Sequence, residues 1–553
     1  MILKSYSNNL LFTALLMLWP LQSQANAPEI RYITLNGQSF EIVLEPTDIN
    51  RYEIPGLEAN NRFYSTYLKN QPDSRGRAAL IDDQWQGLLI HNGQLHVINT
   101  LQSSATVNRQ NRAMTASLLD PEISLGQCGY SGGVESQPSA SAITTRSLMA
   151  QSLQIDFDSF CSEQIDGVCL VGELTLAFDD EFETQFGSEY QAQAVAIAEY
   201  VDLIYQQNFN IVFNKLNMAF GSGNVFEGDT DIDAVLDDIE YKRVRGQTSA
   251  FDPNVYSILH FITGRSYYSP PQNEAIGLAL GPTYGANFAN YPTPDIPLLC
   301  TGYAIGTSQV FGSGSNRAAF TSLIVAHEIG HNFGFLHDGD DAPASECSAS
   351  DFIMGPELSG YTTTFSSCSE AVLAPNINGI GTIEDCFNFP VDASIDPDSG
   401  NPEEVQEGDI ITAAYTVSAQ SRSDRSTNLR IQGNINSSAA TFLSADVDGS
   451  SCSLSNSDTT YTCTINSATT HNLELEIQFA LSDLDIQHQV STTSADDFDV
   501  TDNNNTLAET IRVGGGSSGS QASDRLGGGS GGTLNWLGLS LILLLLTRVR
   551  HRS

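Results

Sequence analysis

Basic residues are scarce in this chain. Its 553 residues include 24 Lys and Arg against 65 Asp and Glu, a formal net charge of −41 at pH 7. Such a surface repels phosphate groups, so neither nucleic acid nor an anionic lipid surface is expected as a partner. The chain is also too long for one hydrophobic core, and several domains are expected. Nothing in the composition specifies an oligomeric state.

The longest apolar runs lie near the two ends. Lys4 precedes an apolar stretch over residues 10–21, and Ala25 follows it, a pattern that predicts a signal peptide over 1–25. The alternative is an uncleaved membrane anchor, for which the run is short. Export would permit disulfide bonds.

The C-terminal end has a different pattern. Residues 514–533 are rich in Gly and Ser, as in a flexible linker. Residues 534–553 contain a short apolar run and then basic residues, which predicts a membrane-spanning tail with a cytoplasmic end.

Cysteine occurs nine times, so one residue is left over if the others pair. Cys161 and Cys169 are close enough for a local disulfide. The remaining candidates are Cys452 with Cys463, and a nested arrangement of Cys300 with Cys386 and Cys347 with Cys368, the last four allowing three connectivities. Cys128 is then the odd residue.

The segment from His327 to His337 fits the pattern H-E-x-x-H extended by G-x-x-H. On a helix, positions i and i+4 share a face, so His327 and His331 can bind one ion. Gly334 permits the positive φ that ends the helix and brings His337 back as a third ligand. Three protein ligands leave a coordination position for water, which is typical of a catalytic zinc site, with Glu328 beside the metal. A bare H-E-x-x-H arises by chance on many helices, but the extension favours zinc.

Hydrophobic patterning predicts a multidomain chain. Residues 26–147 show strand-like alternation at 39–44 and 94–99. A strand at 171–178, a helix after a Ser188 cap and a strand at 209–216 predict an α/β (α+β) unit. Residues 390–513 contain short alternating strands with polar turns, which predict an all-β sandwich of immunoglobulin type.

Residues 327–338 resemble the adamalysin (reprolysin) branch of the metzincin zinc peptidases. The resemblance continues at residues 261–264, 276–279, 351–355 and 365–369, and covers about residues 165–389. It implies a twisted mixed sheet over a zinc helix, one Zn²⁺ ion, and Met354 as a Met-turn floor below the histidines. On sequence grounds alone, Met354 is equally an ordinary core residue.

The region before this domain resembles the family's propeptide at residues 71–76 and 87–90. Cys128, within Gln-Cys-Gly, then resembles a cysteine switch, whose thiolate would be a latent zinc ligand. The alternative is an unpaired or intermolecular cysteine. Two departures stand out: no Cys-rich domain follows Cys386, and the family's Ca²⁺ site is matched at Glu173 but has Ser257 where an Asp is expected.

The tail resembles the Gly-Gly sorting signals of Gram-negative bacteria. It implies transient anchoring in the inner membrane, cleavage near residues 528–532 by a rhombosortase-like protease, and a final location outside the cell or on its surface. A plain transmembrane anchor is the alternative.

These patterns predict a secreted zinc endopeptidase made as a zymogen, with Glu328 as general base. A protein or peptide substrate is expected to add as a strand along residues 277–280. Arg112 and Arg146 are candidate maturation sites. The competing prediction is a cell-surface adhesion protein with a non-catalytic metzincin domain, but such a relic would be expected to lose Glu328 or a histidine.

Overall fold

A computed structural model describes most of the chain between residues 28 and 513. The described residues are 28–47, 52, 54, 57, 61–71, 73–100, 113–118, 124–128, 156–228, 230–267, 275–281, 298–339, 344–359, 362–435, 439–455, 457–466, 469–480, 483–501 and 504–513. The predicted signal peptide, Arg112, Arg146, the Gly/Ser linker and the C-terminal tail lie outside them. Within the described residues, no helix has both the length and the apolar character needed to cross a membrane.

The N-terminal module is a closed barrel of seven strands, an element absent from the predicted fold class. All neighbours pair antiparallel except the first and last strands, which close the barrel in parallel. Asn36-Gly37 and Asn92-Gly93, all at positive φ, form two-residue hairpin turns. The strands are β1 Glu29–Leu35, β2 Gln38–Pro46, β3 Arg62–Leu68, β4 Arg75–Ile81, β5 Gln84–His91, β6 Gln94–Thr100 and β7 Met114–Leu118.

Strands β4 and β5 are apolar both on the face inside the barrel and on the face outside it. Ala78 and Leu89 belong to the interior cluster. Their neighbours Ala79, Leu88 and Ile90 point outward and join the core of the next module. Because successive side chains of a strand alternate between faces, β4 and β5 are buried on both sides and their sequences are almost continuously apolar.

The central module has a mixed sheet in the order β14-β8-β12-β13-β11-β9, with β10 also paired to β9. Its strands are β8 Ser124–Cys128, β9 Leu170–Phe178, β10 Ile211–Ala219, β11 Ile258–Thr263, β12 Ala275–Ala279, β13 Ile305–Gln309 and β14 Glu357–Ser359. Its helices are α1 Phe157–Phe160, α2 Asp180–Phe186, α3 Tyr190–Phe209, α4 Ile232–Val244, α5 Arg317–Asn332 and α6 Ser367–Asn378. Short 3-10 turns lie at Gly187–Glu189, Ser222–Val225, Gly314–Asn316, Ala344–Glu346 and Ile383–Asp385.

Helix boundaries differ from the sequence prediction around α3. The predicted cap Ser188 lies in the turn between α2 and α3, and Asp179 caps α2 by accepting a hydrogen bond from the Phe182 amide. Phe209, predicted to begin a strand, is the last residue of α3, which ends where Asn210 adopts a left-handed conformation. The sequence prediction thus missed α2, and α3 begins after Glu189 without a side-chain cap hydrogen bond.

The N-terminal barrel packs against helix α3. Arg77 of β4 donates to Glu199 at 2.9 Å and to Asp202 at 3.0 Å, and both acidic side chains are 3% exposed. Tyr52 also donates to Glu199, and Arg77 donates to Gln206. The barrel is therefore held against α3 by apolar contact and by a buried ionic cluster.

The C-terminal module consists of two β-sheets that share one core. One contains β15, β17, β23, β19 and β20; the other contains β16, β26, β24, β18, β22 and β21. The strands are β15 Phe387–Pro397, β16 Glu404–Val405, β17 Ile410–Gln420, β18 Asn428–Ile435, β19 Ala440–Val447, β20 Ser450–Ser451, β21 Ser453–Ser455, β22 Thr460–Asn466, β23 His471–Phe479, β24 Leu484–Thr492, β25 Asp497–Asp499 and β26 Thr506–Val513.

Strand β15 belongs to both the central and the C-terminal modules. Residues 387–388 pair with β9, residues 389–391 with β25, and residues 392–397 with β17. Arg422 adds a second connection, because its guanidinium donates to the carbonyl of Glu163 and stacks on Phe160. The predicted domain boundary after residue 389 thus falls inside a strand.

Candidate active site

Helix α5 places three polar residues of the motif inside the protein. His327, Glu328 and His331 are fully buried, on a helix whose other residues are largely small or aliphatic. Tyr205 of α3 donates to the Ala326 carbonyl at 2.9 Å, which ties α5 to its neighbour just before the motif. The helix spans Arg317–Asn332, so it contains His327, Glu328 and His331 but not His337.

Gly334 reverses the chain after α5. Its φ is +93°, and a Cβ atom there would lie 1.8 Å from Nδ2 of Asn376. Its amide donates to the His331 carbonyl at 3.0 Å, and the Phe335 amide donates to Gly330 at 2.9 Å. Both the backbone conformation and the available space therefore require glycine, and the turn returns His337 to the helix.

The three histidine rings converge. Ring centroids are 4.9 Å apart for His327–His331, 5.2 Å for His327–His337 and 4.9 Å for His331–His337. His327 Nδ1 lies 2.6 Å from the Ile353 carbonyl, and His331 Nδ1 lies 2.8 Å from the Phe335 carbonyl. A carbonyl only accepts, so each Nδ1 carries the proton and each Nε2 presents a lone pair to the centre.

This donor set fits zinc. One ligand atom each from Cys128, His327, His331 and His337 lies within 4.8 Å of all the others. Imidazole nitrogen and thiolate sulfur are the ligands zinc prefers. Burial lowers the pKa of His327 to about 3 and that of His337 to about 4, and also lowers the pKa of His331, so all three rings are neutral as metal binding requires.

The side chains of Glu328 and Cys128 contact each other beside the three histidines. The Cys128 thiol donates to Glu328 Oε1 at 3.2 Å and lies 3.6 Å from His331 Nε2. Among the described residues, Glu328 Oε2 has no hydrogen-bond partner. Burial raises the pKa of Glu328 to about 8, and the bond from Cys128 opposes that rise. A buried carboxyl with a raised pKa beside a metal-type donor set is typical of a proton-transferring group.

Strand β8 brings Cys128 to the site. It runs parallel to β12, aligned with Gly277 at Cys128, and antiparallel to β14. The segment expected to bind a substrate strand, residues 277–280, therefore has a neighbour already. Strands β8 and β14 extend the sheet beyond β12.

Met354 lies beneath α5. It is fully buried, and its Sδ would be 2.6 Å from a Cβ atom at Gly330. Its carbonyl accepts from the Asp338 amide at 2.8 Å. The turn that contains Ile353 and Met354 therefore contacts helix α5 at Gly330 and the backbone at Asp338. The Ile353 carbonyl in the same turn also accepts from His327.

Asp338 directly follows the third histidine, and the sequence alone indicates no role for it. Its carboxylate accepts from Ser366 Oγ at 2.5 Å, and burial raises its pKa to about 6. It also lies near Cys347 and Cys368. Those two cysteines form a disulfide, so this group is structural.

The described residues contain four disulfides. They are Cys161–Cys169, Cys300–Cys386, Cys347–Cys368 and Cys452–Cys463, so the second and third show the nested arrangement. Cys128 lies outside them.

At the calcium position implied by the resemblance, amide groups surround the acid. Glu173 accepts from Asn254 at 2.5 Å and from Asn388 at 3.1 Å. Ser257 offers its carbonyl to the buried Arg243 instead. Neutral amide donors thus bind the Glu173 carboxylate, and a guanidinium binds the Ser257 carbonyl.

Similarity to known proteins agrees with the geometry of the site. Residues 171–366 match Reprolysin_5, metallo-peptidase family M12. This region is a metallopeptidase domain. A stretch of 71 residues is 38% identical to the mouse (Mus musculus) protein "A disintegrin and metalloproteinase with thrombospondin motifs 13" and covers 12% of this chain. The chain spans about 5% of that relative's length. Enzymes of the M12 family use zinc and act on protein or peptide substrates.

Proposed function

We propose that this chain is a zinc endopeptidase made as a latent zymogen. One observation carries the proposal: His327, His331 and His337 converge beside the buried carboxyl of Glu328 within a metallopeptidase domain. Buried imidazoles held by backbone carbonyls serve no packing purpose that apolar side chains would not serve better.

The residues of the site have distinct roles in peptide hydrolysis. The three histidines would hold a zinc ion, which would supply a bound water of lowered pKa and polarise the substrate carbonyl. Glu328 accepts the proton of the attacking water and then transfers it to the leaving amine. Met354 supports the helix from below, against Gly330. Asp338 fixes the turn that carries His337.

Latency is supported by the position of β8. Its residues take a place in the sheet between β12 and β14, and Cys128 reaches the three histidines. A thiolate at the fourth zinc position would exclude the catalytic water. Removal of β8 would expose both neighbouring strands, between which an extended substrate would pair by its backbone.

Export and sorting belong to the same proposal. The four disulfides fit an oxidising compartment, as the predicted signal peptide requires. The C-terminal tail would hold the protein in the inner membrane of a Gram-negative bacterium until a sorting protease cleaves it. The C-terminal module, which we propose to be immunoglobulin-like, would then accompany the enzyme outside the cell.

A single substitution tests the activity. In Glu328→Gln, hydrolysis of casein by the activated chain should fall by about 10²–10⁴-fold while one zinc per chain is retained. Glu346→Gln, at an exposed site in a 3-10 turn, is the matched control and should keep full activity. A chelator should abolish activity in the wild type. Undiminished proteolysis in Glu328→Gln would refute the assignment, and a chain that never cleaves casein would favour the adhesion alternative.

A further inference from the structure

Gly277 lies directly against the carboxyl group of Glu328. A Cβ atom built on Gly277 would be 2.4 Å from Glu328 Oε1 and 2.9 Å from its Cδ. The same atom would be 2.8 Å from Cγ2 of Ile324, one turn earlier on α5. Contacts this short are repulsive, so any side chain at this position would compete with the carboxyl group for space.

Backbone conformation does not explain the glycine. Gly277 is in the middle of β12, and its φ lies outside the left-handed region in which glycine is favoured. Glycine within a strand usually weakens it, because it adds backbone entropy to the unfolded chain and contributes no packing. What glycine provides here is therefore space for another group, and that group is the carboxyl of Glu328.

The backbone of Gly277 has little freedom to move away. It is aligned with Ser308 of β13 on one side and with Cys128 of β8 on the other. Helix α5 is equally constrained, since its residues around the motif are fully buried. A side chain at position 277 would therefore be accommodated by moving the side chains of Glu328 and Ile324, of which the Glu328 carboxyl group is the closer.

We infer that Gly277 is a positioning residue, whose missing side chain determines where the Glu328 carboxyl group stands beside the metal site. The inference rests on the proposed function for its catalytic consequence but not for its geometry. A methyl group at 277 would drive Oε1 away from the point where it now meets the Cys128 thiol. In the activated enzyme the same displacement would move the general base from the attacking water.

The test compares Gly277→Ala with Gly302→Ala. Gly302 belongs to the same domain and also lacks a positive φ, but its Cβ would make only ordinary contact, 3.7 Å from Val255. In Gly277→Ala, kcat on a peptide should fall about 100-fold, since a shift of about 1 Å costs that much, with KM and zinc content little changed. Gly302→Ala should match the wild type. Equal kcat in the two variants would overturn the inference.

The same substitution in a Glu328→Asp variant distinguishes a positioning role of Gly277 from a general structural defect. Glu328→Asp has a shorter side chain, which withdraws the carboxyl group from position 277. Adding Gly277→Ala to Glu328→Asp should therefore lower kcat far less than adding it to the wild type. An equal loss in both backgrounds, or loss of zinc with Gly277→Ala, would show a structural defect instead and overturn the inference.

A readout without catalysis keeps this inference separate from the proposed function. Crystal structures of the unprocessed wild type and Gly277→Ala should show the Glu328 carboxyl group displaced from Cys128 in the variant. An undisplaced carboxyl group would overturn the positioning role. If the wild type proves inactive on peptides, the proposed function fails, whereas this structural comparison still decides the role of Gly277.

Discussion

The Sγ atom of Cys128 lies 3.2 Å from Oε1 of Glu328, although 200 positions separate them in the sequence. A strand of the N-terminal region delivers the thiol, and a helix of the metallopeptidase domain delivers the carboxyl group. The two residues meet because β8 is aligned with β12 directly above α5. The proposed blocking group and the proposed catalytic base are thus placed by independent elements of the fold.

Metal removal should change the reactivity of Cys128. In the zinc-loaded, unprocessed chain, we expect slow alkylation by N-ethylmaleimide, because a metal-bound thiolate is a poor nucleophile in a partly buried site. Chelation should accelerate labelling. The other eight cysteines form disulfides, so mass spectrometry reports on Cys128 alone. Labelling at the same rate with and without chelator would mean that the thiol does not bind the metal.

Gly334→Ala should destabilise the domain and weaken zinc binding. The positive φ costs about 1–2 kcal/mol with a Cβ atom, and the collision with Asn376 adds about 1–3 kcal/mol. Gly314→Ala is the matched control, because Gly314 has φ +60° but nothing within 4 Å of its Cβ position. Gly314→Ala should therefore lose only the stability that the positive φ costs, about 1–2 kcal/mol, and it should still bind zinc. Thermal unfolding and metal analysis measure both effects, and equal losses in the two variants would contradict the role given to Asn376.

Arg77→Ala should loosen the N-terminal barrel. Removing Arg77 leaves Glu199 and Asp202 buried without its charge, a change that typically costs about 3–5 kcal/mol. Arg62→Ala is the control, since Arg62 and its partner Glu29 are 48% and 37% exposed. After cleavage between barrel and metallopeptidase domain, gel filtration should show earlier barrel release from Arg77→Ala than from Arg62→Ala. Release at the same rate would show that apolar contact alone holds the barrel.

Acid should destabilise the C-terminal module through His488. Burial lowers the pKa of His488 to about 3, whereas an unfolded histidine has a pKa of about 6.5. The unfolded state therefore binds more protons below pH 6.5, and stability is lost as the pH falls from about 6.5 towards 3. At pH about 4.5 the loss from this group is about 2–3 kcal/mol.

His488→Gln isolates that contribution. At pH about 8, where His488 is neutral in both states, the variant shows only the packing cost of losing the ring beside Tyr461. Urea unfolding at both pH values should give a smaller acid effect in the variant. An unchanged difference between the two pH values would assign the acid sensitivity to other groups, such as the buried His260.

The site was predictable because local spacing encodes it. His327, Glu328, His331 and Gly334 stand in one helix and its terminating turn, where geometry follows directly from sequence spacing. The barrel was not predictable in this way. Its closure depends on β1 pairing with β7 some eighty residues later, and such long-range pairing leaves no local pattern.

Two further features required the structure. The role of Gly277 depends on a helix that follows it by dozens of residues, so its sequence neighbourhood indicates only a strand. Helix α2 and its Asp179 cap were missed because the helix is only seven residues long and gives little periodic signal. For Gly277 the deciding contact is tertiary, whereas the cap bond from the Phe182 amide to Asp179 is local.

Strand β15 makes the metallopeptidase domain and the C-terminal module mechanically continuous. A pulling force on the C-terminal module would reach β9 through a single extended backbone, without a hinge between them. Shortening the protein at residue 389 would cut that strand and leave the exposed stub of a sheet edge. The two modules are therefore expected to unfold together, and the smallest autonomous form of the metallopeptidase domain should include them both.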